Sequence, residues 1–281
     1  MATSDNDGRF RGGIGNLTYR IIGGKSIIQS RPGPGKMKQT KRPKASNVDF
    51  CLASNRAKIL RLVLMPMLKG NYDRWMVNRF NAAVTKVIRS NTSLASGYRD
   101  LEDGNLDLLN GFEFNLNSPF SKLLQTKLQL EQTYFDGIRI SLNAFEVSEV
   151  LFFPGTADGC HLKILLSAIR LQDNQYQYCG AAEMKIPLGT KDVLATTWTF
   201  KENLPEDCLL MATCSLEYYV QGLDELLSLN RKDFHPVSLI GLVRSQEVEA
   251  LTMTTLSEGP ASVWNKWLPI PGIDGNKLRL R

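Results

Sequence analysis

The sequence predicts an α+β chain: an N-terminal β-hairpin arm, a helical pair, an antiparallel β-sandwich and an extended C-terminal arm. Three observations carry this. Two β-prone runs, Leu17–Ile22 and Lys25–Ser30, are separated only by Gly23-Gly24. Apolar residues then recur at intervals of three and four through residues 46–90. From Leu109 onward, short alternating runs rich in β-branched and aromatic residues lie between turn signals.

The hairpin is the most specific of these. A two-residue turn needs positive φ, which glycine adopts without a Cβ clash. Pairing about Gly23-Gly24 sets Ile22 opposite Lys25, Arg20 opposite Ile27 and Tyr19 opposite Ile28. Leu17, Tyr19, Ile21 and Ile28 then share one face, and Thr18, Arg20, Lys25 and Gln29 lie mostly on the other. An isolated two-stranded hairpin is marginal in water, so this one must dock, either on its own body or on a neighbouring subunit by strand addition. Gly24-Lys25-Ser26 is not the end of a phosphate-binding loop, because the glycine required five residues before Gly24 is Tyr19.

Charge is unevenly distributed. Residues 1–44 hold ten Lys/Arg against Asp5 and Asp7, a net +8, so the rest of the chain carries −2 of the overall +6. Six of those cations, Arg31, Lys36, Lys38, Lys41, Arg42 and Lys44, form a basic strap broken by Pro and Gly. Basicity therefore belongs to the arm and not to the body, which suits a basic tail better than a nucleic-acid-binding fold. A hydrophobic content of 43% is enough for a sizeable core, and no apolar run reaches the length of a membrane span. The polar, acidic start, Met1 to Asp7, lacks an apolar signal region and points to the cytoplasm or to a particle assembled there. Cys51, Cys160, Cys179, Cys208 and Cys214 show no C-x-x-C spacing and read as free buried thiols.

The domain reading follows these signals: residues 1–45 as arm and strap, 46–108 as a helical hairpin with an acidic loop, 109–257 as the sandwich, and 258–281 as a C-terminal strap. Residues 46–68 read as a helix capped by Ser46 or Asn47, with Asp49 at its positive end and Pro66 to Gly70 ending it. Val48, Cys51, Leu52, Ile59, Leu62 and Val63 form its stripe. Residues 72–90 read as a second helix with Asn71 as N-cap and a stripe through Tyr72, Trp75/Met76, Phe80, Ala83/Val84 and Val87/Ile88. Seven or eight strands follow, with residues 162–170 and 209–219 the central pair, and residues 223–229 a helical turn or two. Trp264, Trp267, Leu268 and Ile270 are too apolar for a free tail. They lie over the chain's own sandwich or on a neighbour, and residues 277–281 alternate like an edge strand.

No residue pattern marks a catalytic, cofactor-binding or metal site. His161 and Cys160 are adjacent in a strand and point to opposite faces, so they cannot converge as a nucleophile pair. Asp100, Glu102, Asp103 and Asp107 surround Gly104, but a calcium loop would place Arg99 at its first ligand position. These four acids read instead as an acceptor for the basic strap of another subunit, steered by charge.

The pattern Gly12-x-x-Gly15-Asn16-Leu17-x-Tyr19, Gly23-Gly24-Lys25 and Arg31-x-x-Pro34-Gly35, followed by the Lys-rich strap, resembles an uncharacterised Bacteroidota family. The likeness is specific over residues 12–44, looser through residue 90 and architectural afterwards. It implies the same order of elements and an immunoglobulin-like β domain, and it transfers no site residues. The functional expectation is a non-enzymatic structural protein that self-assembles, as a filament, tube or phage-like particle, through its arm. The alternative is a nucleic-acid-associated protein whose strap neutralises phosphates, although no aromatics interleave its cations for stacking. A carbohydrate-binding or hydrolytic sandwich would need exposed aromatics, for which Trp198, Tyr218 and Tyr219 are the candidates.

Overall fold

The computed structural model describes residues 2–31, 40–133, 137–201, 204–245 and 266–272. The chain divides into two compact units, residues 1–47 and 48–281. The first is a four-stranded antiparallel sheet in simple meander order. Its strands are β1 (Ala2–Ser4), β2 (Phe10–Ile14), β3 (Leu17–Ile22) and β4 (Lys25–Ser30). Gly23 and Gly24 both have positive φ, and the β3–β4 register places Ile22 opposite Lys25, Arg20 opposite Ile27 and Tyr19 opposite Ile28, as the sequence predicts. The sheet is larger than the anticipated hairpin. Asp5 turns the chain between β1 and β2, its carboxylate accepting the N–H groups of Asp7 and Arg9 at 3.1 and 2.8 Å. Phe10-Arg-Gly-Gly-Ile14 lacks a β-rich composition, which hides β2 from sequence reasoning.

α1 (Lys41–Val63) starts five residues before Ser46, so neither Ser46 nor Asn47 is its cap. The Thr40 carbonyl accepts the first helical bond, from Lys44 N–H. Pro43 is tolerated because the first turn's N–H groups have no intrahelical partner to lose. Asp49 consequently sits well inside the helix and is buried, accepting Ser96 Oγ at 2.6 Å and Gly97 N–H at 2.7 Å. The buried line runs through Ala53, Ala57, Leu60 and Leu64, with Cys51 exposed. α2 (Met65–Leu68) is a single turn ending at Lys69 in left-handed conformation. α3 (Met76–Ser90) begins later than predicted. Asp73, not Asn71, takes the Trp75 N–H at its start. Its stripe of Met76, Phe80, Val84, Val87 and Ile88 is buried, while Trp75 is exposed.

After a 3-10 turn (Leu106–Leu109) come α4 (Phe120–Leu123), β5 (Gln129–Thr133), β6 (Gly137–Leu142), β7 (Phe145–Glu146) and α5 (Val147–Val150). The long strands β8 (Gly159–Arg170) and β9 (Gln175–Pro187) follow, then β10 (Asp192–Val193), β11 (Thr196–Phe200), β12 (Leu209–Gln221), β13 (Leu226–Ser228), β14 (Val237–Arg244) and β15 (Leu268–Pro269). Residues 226–228 are thus a strand and not part of a helical turn, because they pair with Tyr219–Gln221 of β12. Among the described residues, all strand pairing is antiparallel. β13, β12, β8, β9 and β15 run side by side in a six-stranded sheet, with β14 also on β12, while β11, β6 and β5 form a second sheet. The predicted central strands are β8 and β12, paired over Gly159–Ile169 and Leu209–Tyr219.

Alternate residues of these strands enter two different cores. Leu162, Ile164, Leu166 and Ala168 of β8 and Leu210, Ala212, Cys214 and Leu216 of β12 pack with Ile138, Ile140 and Leu142 of the smaller sheet. Leu165 and Ile169 of β8 and Leu209 and Met211 of β12 pack with the helices, around Ala57, Leu60, Phe80 and Val84. The helices and the large sheet therefore share a core. Phe80, Phe112 and Phe114 meet in it at centroid distances of 4.9–5.4 Å. Among the described residues, no helix is long and apolar enough to cross a membrane.

Gly104 sits where the loop after α3 crosses that helix's last turn, and a Cβ there would lie 2.7 Å from the Val87 carbonyl carbon. Gly155 has open space around the same position. Gly104→Ala should therefore lower stability by about 2 kcal/mol or more, and Gly155→Ala should stay within about 0.5 kcal/mol, measured by urea unfolding.

Candidate functional site

The register of the N-terminal sheet sorts its side chains into two faces. Gly12, Tyr19 and Ile28 are aligned across β2, β3 and β4, as are Ile14, Leu17 and Ser30. With Phe10 and Ile21 at alternate positions of the same strands, these residues make one apolar face. The opposite face carries Arg11, Thr18, Arg20, Lys25 and Gln29, with Ile22 and Ile27 among them. Leu17, Tyr19, Ile21 and Ile28 therefore share a face, and the structure adds Phe10 and Ile14 to them. Phe10 and Tyr19 pack with ring centroids 5.7 Å apart. The face is open: Phe10, Ile14 and Ile28 are 48%, 51% and 59% exposed. β2 was the missed contributor, and its only sequence signal is the spacing of Phe10 and Ile14 about two glycines.

The basic strap is only partly an extended segment. Arg31 follows β4 and is exposed, whereas Lys41, Arg42 and Lys44 occupy the first turn of α1, also exposed. Lys36 and Lys38 lie outside the described residues.

The four acids of the proposed acceptor do not form one free patch. Arg56 grips Asp100 through Nε and Nη2 at 2.8 and 2.5 Å, while its Nη1 donates to the Leu171 carbonyl. Asp103 accepts the Asp100 N–H at 3.0 Å. Burial, reinforced by the nearby Asp100 charge, pushes the Glu102 carboxyl above its ordinary value. Asp107 is exposed in the 3-10 turn, where it accepts Asn110 Nδ2 at 3.2 Å.

The C-terminal candidates divide in the same way. Trp264 and residues 277–281 lie outside the described residues. Leu268 pairs with Tyr176 of the chain's own β9, and Ile270 is buried in the helix-side core, its N–H donating to Asn174 O at 3.0 Å. Trp267 lies under the Arg170 guanidinium at 4.3 Å. This part of the strap is seated on its own body and not left for a neighbour.

Tyr218 is a core residue, its hydroxyl donating to Phe152 O at 2.7 Å, and burial raises its pKa. Trp198 packs half-buried on the small-sheet core. Tyr219 stands edge-on to His161. Cys160 and His161 point to opposite faces. The thiol is buried and pushed up to about 12, while His161 Nδ1 pairs with Glu183. Around them, Lys163 and Lys69 both hold Glu217, which offsets its burial and keeps its carboxyl below the ordinary range. Among the described residues, no three His, Cys, Asp or Glu side chains converge as metal ligands. Comparison with protein-family models, curated proteins and solved structures finds no match to this chain.

His235 is fully buried and fastens the β14 start to α2. Its Nε2 lies 2.7 Å from the Met67 carbonyl and its Nδ1 lies 2.9 Å from Asn230 Nδ2, which fixes a neutral ring with the proton on Nε2. Burial holds its pKa below 6.5. The unfolded chain then binds the proton more readily, so this contribution is complete above pH 6.5 and is lost as pH falls toward the folded-state pKa. Urea midpoints should decline from pH 7 to pH 5. His235→Gln should flatten that decline while costing about 1–3 kcal/mol at pH 7.

Proposed function

We propose that the protein is a non-enzymatic structural subunit that self-assembles through its N-terminal β arm, as a filament, tube or phage-like particle. The observation that carries this reading is the apolar face of Phe10, Ile14, Leu17, Tyr19, Ile21 and Ile28. A small sheet with one apolar side gains stability by covering it, and every further copy of the chain brings apolar surface of the same kind. The uncharacterised Bacteroidota family with the same arm pattern is the proposed setting, and the cytoplasm, or a particle assembled in it, the proposed location. The β region is read as an immunoglobulin-like sandwich. This is supported by two antiparallel sheets packing through Ile138 and Ile140 on one side and Leu162, Leu166 and Leu210 on the other, although helices also cover the larger sheet.

A second reading has its own observation. The arm's other face presents Arg11, Arg20 and Lys25, and Lys41, Arg42 and Lys44 extend the charge along the first turn of α1. Such cations would neutralise phosphates with strong salt dependence and little sequence preference.

Light scattering coupled to size exclusion separates the two. Tyr19→Asp with Ile28→Asp should reduce assembled material to the 31.5 kDa single chain, while Arg11→Ser with Arg20→Ser should leave its mass unchanged. Retention of full mass by the aspartate pair, with loss of low-salt nucleic-acid binding in the serine pair, would favour the phosphate-binding reading.

A further inference from the structure

The N-terminal sheet ends on two strands, β1 on one side and β4 on the other. The turns show which backbone groups these edges leave open. Asp5 N–H donates to the Arg9 carbonyl, so the odd residues of β1 bond to β2. Ala2 and Ser4 then turn their N–H and C=O groups outward. At the other edge, Arg31 N–H donates to the Asn16 carbonyl just beyond the Leu17–Ser30 pair, so the odd residues of β4 bond to β3. Ser26, Ile28 and Ser30 therefore turn theirs outward. Among the described residues, no strand pairs with either outer edge. Thr3, Ser4 and all six residues of β4 are exposed. Neither strand contains a proline or a bulge that would blunt its edge, and Lys25 is the one charge on the two.

We propose that the β4 edge of one copy of this chain adds to the β1 edge of the next, joining their N-terminal sheets into one antiparallel ribbon. This rests on the self-assembly reading and names its contact. In a four-stranded meander β1 and β4 run in opposite directions, so a copy placed alongside in the same orientation meets β4 with an antiparallel β1. Ala2, Gly12, Tyr19 and Ile28 form one row across the sheet. Continuing that row sets Ala2 of the next copy opposite Ile28 and its Ser4 opposite Ser26. These are the residues whose N–H and C=O groups face outward on both strands, so each pair can exchange two hydrogen bonds. The same register sets Thr3 opposite Ile27 and Asp5 opposite Lys25, which brings opposite charges together on one face. Asp5 makes its own turn contacts through Oδ1, so Oδ2 can face the ammonium. The apolar faces of successive copies stay on one side of the ribbon. Because the two edges are different surfaces, the contact is head-to-tail and open-ended. With about 4.8 Å between strands and roughly 20–25° of twist per strand, each copy advances about 19 Å and turns by roughly 80–100°. The Ser30 end, from which the chain runs on, therefore points in a new direction in each copy.

The test uses the full chain with Cys51→Ser, in two preparations that carry Thr3→Cys and Ile27→Cys. In the ribbon these positions oppose each other with Cα atoms about 4.5 Å apart, within reach of a disulfide. Mild oxidation should link the two through these positions only when they are mixed. Ser26→Pro removes an outward N–H and no bond to β3, so it should raise the protein concentration at half-assembly about tenfold or more. Lys25→Asp, which sets two acids opposite each other, should raise it about fivefold. If the parent chain assembles but no link forms and Ser26→Pro assembles as readily, the edges are not the contact and the self-assembly reading stands. If the parent chain stays at single-chain mass throughout, both fall.

Discussion

The second unit depends on one constraint: β8 and β12 are apolar on both faces. Leu162, Ile164 and Leu166 alternate with Leu165 and Ile169, and the same holds for Leu210 and Ala212 against Leu209 and Met211. A strand of this kind cannot leave either face to water. Helices α1 and α3 cover one side and the smaller sheet covers the other. Ala53 and Ala57 let α1 lie close to its neighbours, and Gly104 lets the following loop cross α3 without a side chain in the way. Three polar side chains drawn into this packing are answered individually, while the Ser167 and Ser215 hydroxyls are buried without a hydrogen-bond partner. Asp49 takes the loop after α3, Asp73 takes Arg79, and His235 joins Met67 to Asn230.

The first unit obeys a different rule. Its strands alternate, so one side is apolar while the other carries Arg11, Arg20 and Lys25 beside Ile22 and Ile27, and the apolar side lies largely open. The second unit pairs several of its charges internally. Its polar clusters serve the fold: Lys163 and Lys69 neutralise Glu217, and Arg56 neutralises Asp100.

Much of this was legible in the sequence wherever a local signal set the structure. Gly23-Gly24 determined the β3–β4 register residue by residue, and the apolar runs around Ile164 and Ala212 identified the central strands. The α3 stripe was equally clear. What escaped was set by distant partners. Nothing near Asp100 in sequence announces Arg56, and nothing near Ile270 announces Asn174. The start of α1 was missed because Pro43 reads as a breaker, although in a first turn it removes no bond. β2 was missed because glycines dilute its two apolar residues. The acidic loop read as one patch in sequence, yet Arg56 takes Asp100, Asp103 turns inward to the Asp100 N–H, and Asp107 lies apart in the 3-10 turn.

The most direct measurement is hydrogen exchange of the backbone amides in residues 10–30 at increasing protein concentration. The account predicts that their protection rises as the chain is concentrated, while protection of Leu209–Gln221, deep in the second unit, stays constant. Exchange of residues 10–30 that is as fast in concentrated as in dilute solution would contradict the claim that copies of the chain cover the arm.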